Sequence, residues 1–206
     1  SDVYKRQTKG YEADRARTIW PWREWLVATL DTDPAFATLT EHMLAGDLLP
    51  EANAETRLAT AFHRNTMTND EGGTDDEEHR VAAVVDRVNT TMQVWMGFTA
   101  SCAQCHDHKY DPMTQREYFA LFDVFNQTAD ADRNDETPTI DVVSRSNSEA
   151  DPVPVPVMEA LSEDNRRETR VQIRGNYRDL GELVQAGVPE AFHSGPSAPS
   201  RLDLAR

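Results

Sequence analysis

A mainly helical fold with long irregular loops is what the sequence predicts, and three observations predict it. Between residues 19 and 126, apolar side chains recur three or four positions apart in successive runs. Helix punctuation brackets those runs, with Pro21 and Pro34 near starts, Gly46 at a stop and Thr114 as a cap. Strand patterns are scarce: beyond residue 126 only 169–174 (TRVQIR), ended by Gly175-Asn176, reads as a short β element.

In order along the chain, residues 19–30 form a first helix, with Trp22, Trp25, Leu26 and Leu30 able to share a face. Asp33 offers a cap for a second, in which Phe36, Leu39 and Met43 lie inward. A third covers about residues 54–64, burying Leu58, Ala61 and Phe62. After the polar loop 65–78 (NTMTNDEGGTDDEE), the spacing of Val81, Val84, Val85, Val88, Met92, Trp95 and Met96 describes the longest helix. Thr114-Gln115-Arg116-Glu117 is a capping box, with Met113 and Tyr118 at the staple positions, and the helix it opens buries Leu121, Phe122 and Phe125. Residues 127–150 read as an acidic loop, and the alternating Pro and Val of 151–157 as an extended surface segment. The resulting division is 1–10 as a truncated or non-native leader, 11–126 as a helical domain, 127–168 as an acidic and Pro-rich linker, and 169–206 as an extended connector. The first seven residues resemble a cloning or assembly scar and lack the apolar centre of a signal peptide.

The 206 residues carry 21 basic and 36 acidic side chains, a formal charge of -15. Such a surface repels nucleic-acid phosphates and anionic bilayers. No apolar run is long enough to span a membrane.

The sharpest chemical signal is Cys102-Ala103-Gln104-Cys105-His106, which holds both cysteines of the chain. C-x-x-C-H is the attachment pattern for c-type haem: two thiols form thioethers with the porphyrin and the adjacent imidazole reaches the iron. Competing readings are a redox or structural disulfide, a zinc clip using Cys102, Cys105, His106 and His108, and unmodified core cysteines with no cofactor. Trp95, Met96, Phe98, Tyr110, Met113, Tyr118 and Phe122 are candidates for apolar walls, although such spacing also describes plain core. Candidates for a further iron ligand are His63, Met67, Met92 and Met113, with His108 near the site; His42, His79 and His193 read as surface histidines. Asp107 and Asp111 either orient an imidazole or cap local turns. The acidic residues 70–78 do not follow a calcium-loop order, and no hydrolase or phosphate-loop motif is present.

HMLAGDLLP (42–50), ATAFHRNTMTNDEGGTDDEEHRVAAVVDRVNTT (59–91) and CAQCHDHKYDPMTQREYFALFDVFN (102–126) resemble the planctomycete cytochrome-c-like domain family, a domain of unknown function in large exported bacterial proteins. The resemblance covers about residues 11–126. Residues 171–192 look like the connection to that family's companion domain, of which RLDLAR would be the opening. Cys102, Cys105 and His106 match the family's cysteine–histidine motif; His63, Arg64, Asn65, Glu71, Gly72 and Gly73 match another block. His79 departs from the pattern, which is aromatic there. The resemblance implies export to a periplasm-like compartment or the cell surface. The expected function is therefore a haem c electron-transfer module serving a redox partner protein or other domains of its parent. The alternatives are a structural or protein- or carbohydrate-interaction module with a disulfide or metal clip, and a domain of a secreted enzyme of polysaccharide breakdown.

Overall fold

The computed structural model describes residues 8–11, 14–69, 71–130, 135–192 and 200–206. The sequence readings on residues 1–7, Asp70 and His193 lie outside this set. The described residues are 44% helix and 11% strand, with two small antiparallel sheets, so the fold is mixed α/β. The expectation of a mainly helical chain with at most one short β element is corrected by those sheets.

The chain divides into two compact units. The first comprises residues 1–80, 129–160 and 205–206. Its helices are α1 (Trp20–Leu30), α2 (Phe36–Ala45) and α3 (Ala54–Ala59), the last continuing as a 3₁₀ turn, Thr60–Arg64. Pro21 stands in the first turn of α1, where its missing amide leaves no bond unmade. Trp25 packs inward, and the Trp22 Nε1 donates to the Ala59 carbonyl at 3.1 Å, tying α1 to α3. At Gly46 a Cβ would lie 1.9 Å from the Thr56 carbonyl oxygen, so only glycine lets the end of α2 approach α3 this closely. Two local expectations fail here. Ala35, not Asp33, occupies the N-cap of α2, with no side-chain cap. Phe36 is 70% exposed because it begins the helix before the buried stripe Thr40, Met43 and Leu44.

The same unit contains the first unforeseen sheet, β1 (Thr139–Val142) against β2 (Val153–Pro156). The register sets Pro156 opposite Thr139 and Pro154 opposite Asp141. In an antiparallel pair, alternate residues direct their amides away from the partner. The prolines occupy those outward positions, leaving the valine amides in phase with the partner strand; the next one, Val157, donates to the Pro138 carbonyl at 3.0 Å. Alternating proline is thus compatible with a two-stranded ribbon. Val155, Val157 and Met158 are fully buried. Arg64, also buried, donates to the carbonyls of Glu136 (2.9 Å) and Val157 (2.8 Å), and Arg17 pairs with the Glu136 carboxylate.

The second unit comprises residues 81–128 and 161–204. It holds most of α4 (Asp76–Met96), a 3₁₀ turn (Ala100–Gln104), α5 (Gln115–Asn126) and most of α6 (Arg201–Ala205). It also holds the second sheet, β3 (Thr169–Gln172) against β4 (Leu180–Val184). The strand foreseen at 169–174 is there in β3, but its partner β4 was read as connector. Val81, Val84, Val88 and Met92 of α4 meet Tyr118, Phe119, Leu121, Phe122 and Phe125 of α5 in one core, joined by Val171 and Val184 of the hairpin. The stripe of α4 leaves that core after Met92, so Met96 is 49% exposed. Gly97, at φ +63°, then turns the chain so that the Phe98 amide reaches the Met92 carbonyl at 3.1 Å. No described helix is long and apolar enough to cross a membrane.

Candidate functional site

A 3₁₀ helix has three residues per turn, so positions i and i+3 eclipse. In Ala100–Gln104 this sends Ala100 and Ala103 into the core, 1% and 0% exposed, and sets Cys102 and the following Cys105 together on the outer side. Both cysteines are exposed free thiols. Two small buried residues fix the turn, and the two sulfurs are what it presents.

The His106 ring follows directly. Its Nδ1 lies 2.7 Å from the carbonyl oxygen of Asp107. With Nδ1 donating that bond, Nε2 is the nitrogen with a lone pair, the arrangement that orients metal-binding histidines. The Asp107 carboxylate does something else: it accepts from the Gln115 amide at 2.8 Å, in the first turn of α5. Of the two roles open to Asp107 in the sequence, its side chain caps a helix, while its backbone orients the imidazole.

His108 is held differently. Its Nδ1 accepts from the Asp111 amide at 2.9 Å, with the Tyr110 amide at 3.3 Å, so this ring closes the 108–111 loop. An Nδ1 that accepts carries no proton for the Asp111 carboxylate 3.2 Å away, and that approach is not an ion pair in this tautomer. Phe98 packs on the His108 ring at 5.5 Å and on Phe192 at 5.7 Å, giving an aromatic edge beside the motif.

The expected wall residues do not share one environment: Trp95 and Phe98 are half-buried, and the other five divide between core and surface. Met113, Tyr118 and Phe122 are core, each 2% exposed or less. Met96 and Tyr110 are outside it, at 49% and 84%. Met113 is therefore a staple for α5 beneath the loop: its amide and carbonyl bond Asp111 and His108, and its side chain joins the core. Burial pushes the Tyr118 phenol up; its hydrogen bond to Asn89 opposes this, and charge at Cys105 and Asp86 reinforces it. A buried, neutral phenol thus lies within electrostatic reach of Cys105.

The capping box forms as read. The Thr114 hydroxyl accepts from the Glu117 amide at 3.2 Å, and the Glu117 carboxylate accepts from the Thr114 amide at 2.7 Å. Burial pushes the Glu117 carboxyl up, but the bonds from the Thr114 and Glu190 amides and the Thr114 hydroxyl outweigh it and hold it below its ordinary value.

Among the remaining candidates, His63 is buried in the first unit with its ring 4.9 Å from Phe62. Glu71 belongs to that unit too, whereas His106 belongs to the second. His79 sets its ring edge-on to Tyr11 at 4.8 Å, filling a ring-packing position where the family resemblance calls for an aromatic. Among the described residues, no group of three or more His, Cys, Asp or Glu is arranged to hold a metal ion.

Two neighbours of the motif escaped the sequence reading. Gln115 Nε2 donates to the Gln104 carbonyl at 2.9 Å and to the Gln172 carbonyl at 3.1 Å, linking the cysteine turn, α5 and β3. Gly175, at φ +73°, faces Cys105: a Cβ there would lie 2.8 Å from the sulfur. The only available signal for Gly175 was a glycine at a strand end, and for Gln115 there was none.

No curated protein and no solved structure matches the chain. A family model described as PSCyt2, protein of unknown function (DUF1549), matches residues 2–130, and with more than half its length and the whole cysteine–histidine motif inside that match, the chain belongs to this planctomycete cytochrome-c-like family.

Proposed function

We propose that this chain is a c-type haem-binding electron-transfer module of an exported multidomain protein, attached through Cys102 and Cys105 with His106 as iron ligand. One observation carries the reading: two free thiols share the exposed side of one turn, and the next residue is an imidazole whose Nδ1 is bonded to the backbone. That donor set fits the group. Two thiols can each add across a vinyl double bond, and the Asp107 carbonyl leaves Nε2 of His106 as the coordinating nitrogen. When bound, haem supplies a one-electron couple.

The chain's own residues position the donors. Ala100 and Ala103 anchor the turn, Asp107 fixes the His106 tautomer, and Phe98 with Phe192 supplies an apolar edge. A surface with net charge -15 complements a redox partner with a positive docking face. The same reading takes residues 171–192 as the connection toward a companion domain.

A second reading, a dithiol–disulfide pair, is favoured by the shared exposure of the two sulfurs. It assigns no role to the oriented imidazole, and ranks below haem for that reason.

The test is a pyridine-haemochrome spectrum with intact mass, on protein secreted through an active cytochrome-c maturation route. A covalent haem spectrum that disappears when Cys102 and Cys105 are both changed to Ser is the expected result. Folded protein without haem, beside a positive control that carries it, would refute the proposal.

A further inference from the structure

The β3–β4 hairpin reaches the cysteine motif through its tip. Ile173–Asn176 is a tight turn, closed by the Asn176 amide on the Ile173 carbonyl at 3.1 Å. Both central residues have positive φ: Arg174 at +55° and Gly175 at +73°. That is the sign pattern of a type I′ hairpin turn. Arginine is not a residue that favours it, and such a conformation persists only where surrounding contacts enforce it.

The neighbours of the tip are on the motif. The three atoms nearest a Cβ at Gly175 are the Cys105 sulfur and two side-chain atoms of Gln104. Just before the tip, the Gln172 carbonyl accepts from Gln115 Nε2, which also holds the Gln104 carbonyl. One side chain therefore clamps the hairpin and the cysteine turn together, and one missing side chain leaves room for the sulfur between them. Cys105 is in contact with this tip, and the two thiols of the motif are consequently not equivalent.

We infer that the hairpin tip is a third element of the cysteine site, in which Gly175, anchored through Gln115, is a positioning residue that governs how readily Cys105 forms a bond. The inference stands apart from the haem reading, because any bond at that sulfur, to carbon or to a second sulfur, meets the same neighbour. It also places part of the site outside the family-matched residues 2–130.

A substitution at Gly175 has two ways to relieve the 2.8 Å contact. Either the tip moves off the sulfur or the sulfur rotates away from the tip, and both increase access to Cys105. Gln115→Ala releases the clamp without touching the positive-φ backbone.

The experiment is alkylation of the reduced, folded full chain with iodoacetamide, in which each thiolate displaces iodide to form a sulfur–carbon bond. Peptide mass spectrometry then gives a separate rate for each cysteine. In the parent chain Cys102 should react faster. Gly175→Val and Gln115→Ala should each raise the Cys105 rate by about fivefold, the size expected when a clamp of one or two hydrogen bonds is released. The Cys102 rate should stay within about twofold, as expected for a thiol outside that contact. Gln115→Ala decides the matter if Gly175→Val does not fold. An unchanged Cys105 rate in folded Gln115→Ala, or equal acceleration of both cysteines, would overturn the inference.

Discussion

Replacing Glu117 by Gln keeps the shape of the α5 capping box and removes its charge. The carboxylate accepts three hydrogen bonds: from the Thr114 amide and hydroxyl, both at 2.7 Å, and from the Glu190 amide at 2.9 Å. An amide retains one acceptor oxygen, so one site facing these donors becomes a donor itself. Bonds to a charged acceptor contribute about 1.5–3 kcal/mol and neutral ones roughly half that. Glu117 is only partly buried, and water screens part of the difference. A loss of about 1 kcal/mol at pH 7 is expected. The sign of its pH dependence follows from the carboxyl being held below its ordinary value of 4.5 in the folded chain. The contribution is fully present above that value and is lost as pH falls through the lower, folded one. Urea unfolding of both chains from pH 7 to pH 3 should show the gap narrowing only below 4.5. A gap that stayed constant over this range, or a Gln variant as stable as the parent at pH 7, would refute the reasoning.

Glu136→Gln should destabilise the first unit by roughly 3 kcal/mol, because it leaves the Arg17 guanidinium buried without its counter-charge; hydrogen exchange at the Thr66 and Thr68 amides would report the opening. Arg174→Gly should raise stability by about 0.5–1 kcal/mol, since glycine occupies positive φ without the steric penalty arginine carries. Thermal unfolding measures that change, and a lower midpoint would contradict it.

How much of this was legible in the sequence depended on how local each determinant was. The capping box of α5 was readable because its two members, Thr114 and Glu117, lie three residues apart. The same holds for the long helix, whose inward residues repeat along one face. Periodicity did not reveal whether an inward residue lines a cleft or fills a core, and for Met113, Tyr118 and Phe122 the answer is core. The β3–β4 hairpin was half hidden because its turn places Arg174 where a glycine or asparagine would have announced it. Contacts of Gly175 with Cys105 and of Gln115 with Gln172 join distant parts of the chain, and nothing in the local sequence marks them. The proline-alternating strand misled for a different reason: the rule that proline avoids sheets applies to strands paired on both sides, and β2 is paired on one.

That one-sided pairing bears on how the chain behaves in company. The row of β2 positions turned away from β1 carries Pro154 and Pro156, so it offers carbonyl acceptors and no amide hydrogens. A strand from another molecule needs donors and acceptors in alternation to dock edge to edge. The segment with the most strand-like valines in the chain is therefore unable to recruit a second copy of itself, a safeguard written into the backbone rather than into surface charge.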